Sequence, residues 1–350
     1  PRIVEGCAPR IGHGGDLRWA LTQPHGNAWI RTASWVVTKV LRRAVDRVTV
    51  DIPSFEAARQ AAPPGTALVL VPNHRSYLDF VLCSYLAFAR PDLGIPIPYI
   101  AATMEFGRIP VLGAILRSMH AFYLRRGMGR EDPALTRRVH ALIREGQTLE
   151  FFIEGERSRS RAFLPPKRGL LRCLQATGQP CTLVPIALTY DRIPEEHAFA
   201  RELAGHPKPK MRLGALLAWA VDVWRGKIDL GRIHVACGTP VTLDRHSDVV
   251  AVSHEVIQRL QEATIATTYH LEAYLSHHPD VSVDAVSLRG TIQKRGGRVL
   301  QSALKPPTNL DPLIAWTLRQ QFAHHLNGKA HAETGCQPPA EGVREPEPVV

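Results

Sequence analysis

Short apolar runs alternate with longer amphipathic stretches through the middle of the chain. The runs are rich in Val, Ile, Leu and Phe, and they occupy residues 67–71, 97–101, 121–124, 149–153, 183–188 and 233–236. Runs of this kind predict buried strands. The stretches between them predict helices over 77–90, 109–118, 132–145 and 168–177. Because strands alternate with helices, we predict an α/β fold with a largely parallel central sheet flanked by helices.

The two ends of the chain predict helical additions to this sheet. Residues 27–47 place Trp29 and several aliphatic residues at roughly helical spacing, with five basic residues and one acidic residue between them, a net charge of +4. This pattern is typical of a basic amphipathic helix that lies in a membrane interface. It fits equally a helix that docks on its own domain. After residue 246 the apolar spacing is helical again.

These patterns divide the chain into four segments. Residues 1–60 comprise an irregular lead-in, rich in Gly, His and Pro, and then the basic helix. Residues 61–245 form the predicted α/β domain, and residues 246–326 form a C-terminal helical region. Residues 327–350 are rich in Pro, Glu and Gly, a composition that predicts a disordered tail.

The composition indicates a folded chain and limits the classes of partner that it could bind. Of the 350 residues, 45% are apolar and 21% are charged, which is enough for a sizeable core. The formal net charge of +11 indicates an acidic partner, which leaves nucleic acid, an anionic membrane and a phosphorylated ligand open. No apolar run approaches the roughly 18 residues that a membrane-spanning helix needs, so we expect no transmembrane segment.

The cysteines and the N-terminal residues indicate the compartment. The six cysteines have neither the spacing of a C-x-x-C pair nor that of a zinc site, so we expect no metal and reduced thiols in the cytosol. The N-terminal residues lack the basic and then apolar order of a signal peptide, so we expect no leader within this sequence.

The first block of candidate chemistry is residues 71–80, Val-Pro-Asn-His-Arg-Ser-Tyr-Leu-Asp-Phe. It follows a predicted strand and places His74 just after the C-terminal end of that strand and Asp79 in the first turn of a helix. A neutral imidazole there can accept a proton from a substrate hydroxyl, while the carboxylate orients the ring and stabilises the imidazolium. Ser76 and Asp79 also have the spacing of a capping box, so Asp79 could instead serve only the helix terminus.

The second block, residues 120–126, ends a strand with Arg125 and Arg126. Arginine forks suit phosphate oxygens, and the carboxyl ends of parallel strands are where α/β sheets bind ligands. A solvated arginine pair at a strand end would have the same sequence.

The third block, residues 151–160, combines a glycine turn with a run of cations. Gly155 permits a tight turn that brings backbone N–H groups near an anion, and Arg157, Ser158 and Arg159 add side-chain donors. Residues 154–172 hold six basic and two acidic side chains. A solvated basic turn or a nucleic-acid patch remains open, although the interleaved aromatics of a single-strand-binding surface are lacking.

The fourth block, residues 183–195, contains Pro185 inside an apolar run. Proline interrupts a strand ladder unless it lies at an edge or a bulge. Such a break could shape a pocket wall, or it could be only an irregularity of the strand.

The four blocks together closely resemble, in order and spacing, the motif blocks of the glycerolipid acyltransferase superfamily. The shared patterns are His-x4-Asp, Phe-x-x-Arg-Arg, Phe-x-x-Glu-Gly-x-Arg-Ser-Arg and Val-Pro-Ile-x-x-x-Tyr-Asp. The resemblance is greatest to the glycerol-3-phosphate and dihydroxyacetone-phosphate acyltransferase branches and covers roughly residues 65–245. Residues 202–210 and 235–240 are similar to segments that follow the fourth block in those branches.

The resemblance implies the acyltransferase fold, with residues 61–245 as the catalytic domain. It implies transfer of a fatty acyl group from acyl-CoA or acyl carrier protein to the sn-1 hydroxyl of glycerol 3-phosphate or dihydroxyacetone phosphate, in phospholipid biosynthesis, without a further cofactor or a metal. His74 would be the general base and Asp79 its orienter, and Pro185 would line the acyl or acceptor pocket. The implied acceptor and phosphate site comprises Arg125, Arg126, Glu154, Gly155, Arg157, Ser158 and Arg159.

The resemblance also implies a location and leaves alternatives open. We expect a peripheral protein at the cytosolic face of a membrane, with an anionic membrane surface and not nucleic acid as its larger partner. His120 stands where these families usually carry Gly, and residues 160–163 replace the usual small-Gly-Lys, so Arg161 or Lys167 would have to supply that cation. A lysophosphatidate acceptor acylated at sn-2, a different acceptor without glycerol, and a catalytically inactive membrane- or nucleic-acid-binding module remain alternatives.

Overall fold

An eight-stranded, largely parallel sheet forms the centre of the computed structural model, which describes residues 28–104, 117, 120–124, 132–208, 213–277 and 284–327. Its strands are β1 (Arg47–Val50), β2 (Ala67–Pro72), β3 (Tyr99–Thr103), β4 (Ala121–Leu124), β5 (Leu149–Glu150), β6 (Cys181–Tyr190), β7 (Arg232–Cys237) and β8 (Val241–Leu243). A separate two-stranded parallel ribbon pairs β9 (Ala266–Thr267) with β10 (Val299–Leu300). The predicted fold class is confirmed.

Helices cover both faces of the sheet and continue beyond it. In the part of the chain that the structure describes they are α1 (Ala28–Ala44), α2 (Ile52–Ala61), α3 (Asp79–Ala89), α4 (Pro133–Arg144), α5 (Gly169–Gln175), α6 (Glu196–Leu203), α7 (Leu213–Trp224), α8 (Val249–Ala263), α9 (Thr268–Ser276), α10 (Ala285–Lys294), α11 (Pro312–Gln320) and α12 (Ala323–Asn327). Several begin at an aspartate whose carboxylate accepts the first N–H groups, as Asp132 does ahead of α4 and Asp248 ahead of α8. None of the described helices is long and apolar enough to cross a membrane.

The strand order places β2 and β6 at the centre of the sheet. The order is β1-β7-β6-β2-β5-β3-β4, with β8 also paired to β6. All neighbours are parallel except that β7 and β8 run antiparallel to β6. Leu70 of β2 packs into the core beneath α1, α2 and α3, whereas Val69 and Val71 pack into the core beneath α4, α5 and α8. Burial on both faces explains why the central strands are almost continuously apolar.

Most of the predicted elements are present, and the central sheet differs from the prediction at three of its strands. The strand predicted over 149–153 is wrong beyond Glu150, because the chain then turns out of the ladder. The prediction missed β1, which pairs with β7, and β8, which pairs with β6. The helix predicted over 109–118, the lead-in up to residue 27 and the tail from residue 328 lie outside the described residues, apart from residue 117.

The predicted segment boundaries remain a prediction, although the sheet begins earlier than residue 61. β1 and α2 precede that boundary and belong to the sheet and its cover. The region after residue 246 is helical, as its spacing indicates, and it also contains the β9–β10 ribbon.

Pro185 lies inside β6 and not at an edge of the sheet. It is opposite Val71 in the parallel ladder with β2, and its carbonyl accepts the N–H of Gly238 at 2.9 Å. On the other side of β6, β8 pairs with residues 181–183 and β7 pairs with residues 186–190. The missing N–H of proline therefore falls where one antiparallel partner gives way to the next.

Candidate active site

His74 and Asp79 lie together where β2 ends and α3 begins. The His74 Nδ1 atom is 2.9 Å from the Asp79 Oδ2 atom. The same oxygen accepts the backbone N–H groups of Arg75 at 2.6 Å and Ser76 at 2.8 Å. The geometry therefore contains both the base–orienter pair and the turn-stabilising contact that the sequence left as alternatives. With Nδ1–H donating to Asp79, the lone pair of His74 lies on Nε2.

The His74 ring lies in an aromatic pocket that keeps it neutral. It stacks on Phe152 with 3.9 Å between ring centroids and meets the edge of Phe80 at 5.2 Å. Burial lowers the pKa of His74 below its usual 6.5, against the opposing hydrogen bond and charge of Asp79. Glu154 also opposes this shift and Arg157 adds to it. A neutral imidazole at pH 7 is the protonation state that a general base requires.

The third block fixes the backbone of His74 on both sides. The His74 N–H donates to the Glu154 Oε1 atom at 3.0 Å, and the Ser158 N–H donates to the His74 carbonyl at 3.0 Å. These bonds bring residues 154–158 against the first block, as expected for loops at one edge of a parallel sheet. The position of the imidazole therefore depends on the loop after β5.

Glu154 is also half of a buried ion pair with Arg75. The Arg75 Nη1 atom is 2.8 Å from each Glu154 oxygen, and the side chains are 1% and 0% exposed. Glu154 Oε2 accepts the N–H of Leu164 at 2.9 Å as well. Both carboxylate oxygens are thus bonded within the chain. The contact with the acceptor that the sequence predicts for Glu154 stays a prediction.

Gly155 forms the expected tight turn. Its φ of +73° lies in the left-handed region that favours glycine, and its N–H donates to the Phe152 carbonyl at 3.0 Å. A Cβ atom at this position would lie 2.7 Å from the Lys167 Cγ atom. Glycine is therefore required both by the backbone conformation and by the close passage of Lys167.

Arg157 and Arg159 are paired with acidic side chains near the fourth block. The Arg157 guanidinium lies 3.5 Å from the centre of the Tyr77 ring and 3.5 Å from a Glu195 oxygen. The Arg159 Nε atom lies 3.0 Å from a Glu202 oxygen. The buried Ser158 hydroxyl is 3.4 Å from that of Ser160. Arg125 and Arg126 lie outside the described residues.

The region of the chain that contains this site is similar to known proteins. A family model described as Acyltransferase matches residues 55–189, which contain His74, Asp79 and the third block. The dihydroxyacetone phosphate acyltransferase of Bos taurus is 37% identical over 229 residues, 61% of this chain and 32% of that protein. The part of the chain that the family model matches is an acyltransferase domain, and the chain as a whole resembles the glycerolipid acyltransferase superfamily.

Further members of this acyltransferase superfamily are similar over comparable lengths. The dihydroxyacetone phosphate acyltransferase of Homo sapiens is 30% identical over 331 residues, 81% of this chain and 47% of that protein. The glycerol-3-phosphate acyltransferase of Xanthomonas axonopodis pv. citri is 33% identical over 241 residues, 67% of this chain and 26% of that protein. The chain spans less than half the length of these relatives. Among solved structures, the lysophosphatidate acyltransferase PlsC of Thermotoga maritima is similar at 18% identity and a TM-score of 0.40, over 72% of this chain and 88% of that chain.

The departures from the superfamily pattern have visible structural counterparts. His120, which replaces the usual Gly, has a φ of +66°, so the glycine-like backbone is retained, and its ring stacks on Tyr99 at 4.5 Å. Arg161 is buried and donates to the carbonyl of Asp191 at 3.1 Å. Lys167 has an exposed side chain that passes over Gly155, and it is therefore the better placed of the two to replace the missing cation.

Sequence analysis did not identify three further residues of this candidate site. These are Arg75, which pairs with Glu154; Glu195, which accepts from the Tyr77 N–H at 2.8 Å and the Ser76 hydroxyl at 2.9 Å; and Tyr190, whose hydroxyl donates to Asp79 at 2.5 Å. Arg75 and Tyr190 stand inside the first and fourth blocks, so their positions beside the predicted site residues were an available signal. In the described segments no group of three or more His, Cys, Asp or Glu side chains could hold a metal ion.

Proposed function

We propose that this chain transfers a fatty acyl group from acyl-CoA or acyl carrier protein to the sn-1 hydroxyl of glycerol 3-phosphate or dihydroxyacetone phosphate. The observation that carries the proposal is a buried imidazole with its Nδ1 atom 2.9 Å from the Asp79 carboxylate, at the carboxyl edge of a parallel sheet. The names of the relatives from Bos taurus and Xanthomonas axonopodis support this acceptor class. The product of such a reaction is a precursor of phospholipids.

The reaction needs no nucleophile from the protein. His74 Nε2 takes the proton of the acceptor hydroxyl as the oxygen attacks the thioester carbonyl carbon, and the tetrahedral intermediate collapses with cleavage of the carbon–sulfur bond. The imidazolium then returns the proton to the departing thiolate. Asp79 stabilises the imidazolium, and holding both substrates in line supplies on the order of 7–11 kcal/mol of the barrier.

The cations of the second and third blocks are proposed to hold the acceptor phosphate. Arg125, Arg126 and Arg159 are assigned as its ligands, because guanidinium forks match phosphate oxygens. Arg159 retains partial exposure at the rim of the site. Glu154 is assigned a different role, since both of its oxygens are bonded within the chain. We propose that it supports His74 and Arg75, and the acceptor contact that the sequence predicts for it is left to the substitution of Glu154.

A competition experiment tests the proposed acceptor. The purified chain is given palmitoyl-CoA together with glycerol 3-phosphate, dihydroxyacetone phosphate and lysophosphatidate at equal concentrations, and the products are separated. We expect acylation of one of the two small acceptors in preference to lysophosphatidate. Preferential acylation of lysophosphatidate would support sn-2 transfer instead, and salt-sensitive DNA binding with no transfer to any acceptor would support an inactive basic module.

We also propose that an anionic membrane binds the outer face of α1 together with the end of α7. Trp29 and Val36 on α1 are 53% and 46% exposed, and Trp224 on α7 is 71% exposed. The Arg43 guanidinium lies 4.0 Å from the Trp224 ring centre and donates to the Trp224 carbonyl at 2.6 Å. Exposed tryptophans beside basic residues are typical of helices that lie in a lipid headgroup region. This surface accounts for part of the +11 charge.

Replacing Trp224 by Ala tests this surface. We expect the Kd for vesicles that contain phosphatidylglycerol to rise about tenfold, since one large apolar side chain no longer enters the bilayer. Cosedimentation with vesicles measures the change. Val286→Ala is the matched control, because Val286 is 76% exposed on α10. Equal binding by the wild type and Trp224→Ala, or binding that does not weaken with salt, would contradict the proposed surface.

A further inference from the structure

Tyr190 supplies a short hydrogen bond to the side of Asp79 that faces away from His74. Its hydroxyl donates to the Asp79 Oδ1 atom at 2.5 Å, whereas His74 and two backbone N–H groups share Oδ2. Both residues are buried, with exposed fractions of 1% for Tyr190 and 0% for Asp79. The two carboxylate oxygens of Asp79 therefore have separate partners. Oδ2 is bonded to His74 and to the turn after it, and Oδ1 is bonded to Tyr190 of the fourth block.

The sheet register fixes Tyr190 in this position. Pro72 of β2 is opposite Ile186 of β6, so the fourth block runs beside the first. Beyond β2, the Asn73 side chain accepts the N–H of Leu188 at 2.7 Å and donates to its carbonyl at 3.0 Å. These two hydrogen bonds hold the end of β6 next to the turn that carries His74. The hydroxyl of Tyr190 thus reaches Asp79 without a flexible loop between them.

Asp79 lies near other acidic side chains, so a neutral hydroxyl group is a suitable donor to its carboxylate. Burial and the nearby Asp79 charge raise the pKa of Glu150 well above its usual range, which favours its neutral form. Burial likewise raises the pKa of Cys83 and of Tyr190, so both keep their protons. Of these acidic groups, Asp79 is the one that is hydrogen-bonded to both His74 and Tyr190, and Glu195 also faces Tyr190.

We propose that Tyr190 is a positioning residue that holds the Asp79 carboxylate in line with His74 and sets how strongly it stabilises the imidazolium. The inference rests on the proposed function only in that acyl transfer requires His74 as base. Loss of the hydroxyl leaves Asp79 Oδ1 without this donor. The negative charge of Asp79 then acts more strongly on His74, which raises the pKa of the imidazole. The other charges facing His74, Glu154 and Arg157, are unchanged.

The test compares Tyr190→Phe with the wild type over a range of pH. Phenylalanine keeps the ring and removes only the hydroxyl. We expect kcat about tenfold lower at pH 7.5, since a hydrogen bond to a charged group is lost, with KM unchanged for both substrates. We expect the acid limb of the kcat profile to move to higher pH by about half a unit or more. Tyr85→Phe is the matched control, because the buried Tyr85 hydroxyl on α3 contacts Thr38 and not Asp79.

A second measurement keeps every tyrosine ring and hydroxyl and changes only the acidity of the hydroxyl, so it does not depend on how Tyr190→Phe folds. Replacement of all seven tyrosines by 3-fluorotyrosine makes the phenols more acidic and Tyr190 a stronger donor to Asp79. The acid limb is then expected to move to lower pH, the opposite direction from Tyr190→Phe. NMR titration of the His74 imidazole reports the same two shifts without any substrate.

The outcomes separate the two proposals. An active wild type whose acid limb and imidazole titration are unmoved by both changes would overturn the role of Tyr190 and leave the proposed function standing. A Tyr190→Phe variant that is only less stable, with an unshifted pH profile, would also overturn it. If the wild type transferred no acyl group, the proposed function would fail, and the imidazole titration would still decide whether Tyr190 acts on His74.

Discussion

Replacing His74 by Ala is expected to lower kcat for acyl transfer by about 100- to 10,000-fold, the range that general base catalysis supplies. The imidazole is neutral because burial lowers its pKa, and its Nδ1–H is held by Asp79 at 2.9 Å. Alanine removes the only group that the mechanism uses to deprotonate the acceptor. Steady-state rates with palmitoyl-CoA and glycerol 3-phosphate measure the loss.

The control separates the loss of a base from the loss of the fold. His246 is exposed in the turn between β8 and α8, so His246→Ala is expected to keep the wild-type rate. His74→Ala is expected to unfold in one cooperative transition, because the surrounding bonds from Glu154 and Ser158 are made by the His74 backbone. Activity within a few-fold of the wild type would rule out His74 as the base.

Breaking the buried pair between Arg75 and Glu154 is expected to have the largest effect on stability. Glu154→Gln leaves the Arg75 charge buried without its carboxylate, which costs about 3–5 kcal/mol in the free energy of unfolding. The same change weakens the two hydrogen bonds that the His74 N–H and the Leu164 N–H donate to Glu154. We therefore also expect kcat to fall. Urea unfolding and steady-state kinetics measure the two effects.

Glu156→Gln is the matched control for this ion pair. Glu156 pairs with Arg159 at 3.2 Å, but its side chain is 53% exposed, so its loss is expected to cost at most about 1 kcal/mol. If Glu154→Gln kept the wild-type stability and raised only the KM for the acceptor, Glu154 would bind the acceptor directly. That outcome would restore the role that the sequence implied and remove the supporting role assigned from the geometry.

The sequence predicts the contact between His74 and Asp79 well because the two residues are close along the chain. His74 and Asp79 are five positions apart, across one strand end and one helix turn, so their meeting requires no knowledge of the tertiary fold. Glu154 lies 79 positions from Arg75, and Tyr190 lies 111 positions from Asp79. These contacts depend on the register between strands, which apolar spacing does not specify. The sequence alone therefore does not predict these supporting contacts.

The fold shows the same limit in two places. Residues 151–153 are apolar like a strand, yet β5 ends at Glu150, and after the Phe151 N–H donates to the Leu70 carbonyl the chain enters the turn at Gly155. The apolar run in the sequence therefore predicts a longer strand than β5. The sequence does not predict β1, because this strand comes soon after the basic helix and its four residues are too few to show a periodic pattern. The antiparallel direction of β7 and β8 was likewise not encoded in their spacing.

The measurement that tests the central claim most directly is transfer of labelled palmitate from palmitoyl-CoA by the purified chain, with glycerol 3-phosphate or dihydroxyacetone phosphate as acceptor. We predict a labelled sn-1 acyl product from the wild type at a rate at least about 100-fold above that of His74→Ala. Equal rates for the two proteins, or no product with either acceptor, would contradict the claim that His74 and Asp79 form an acyltransferase site.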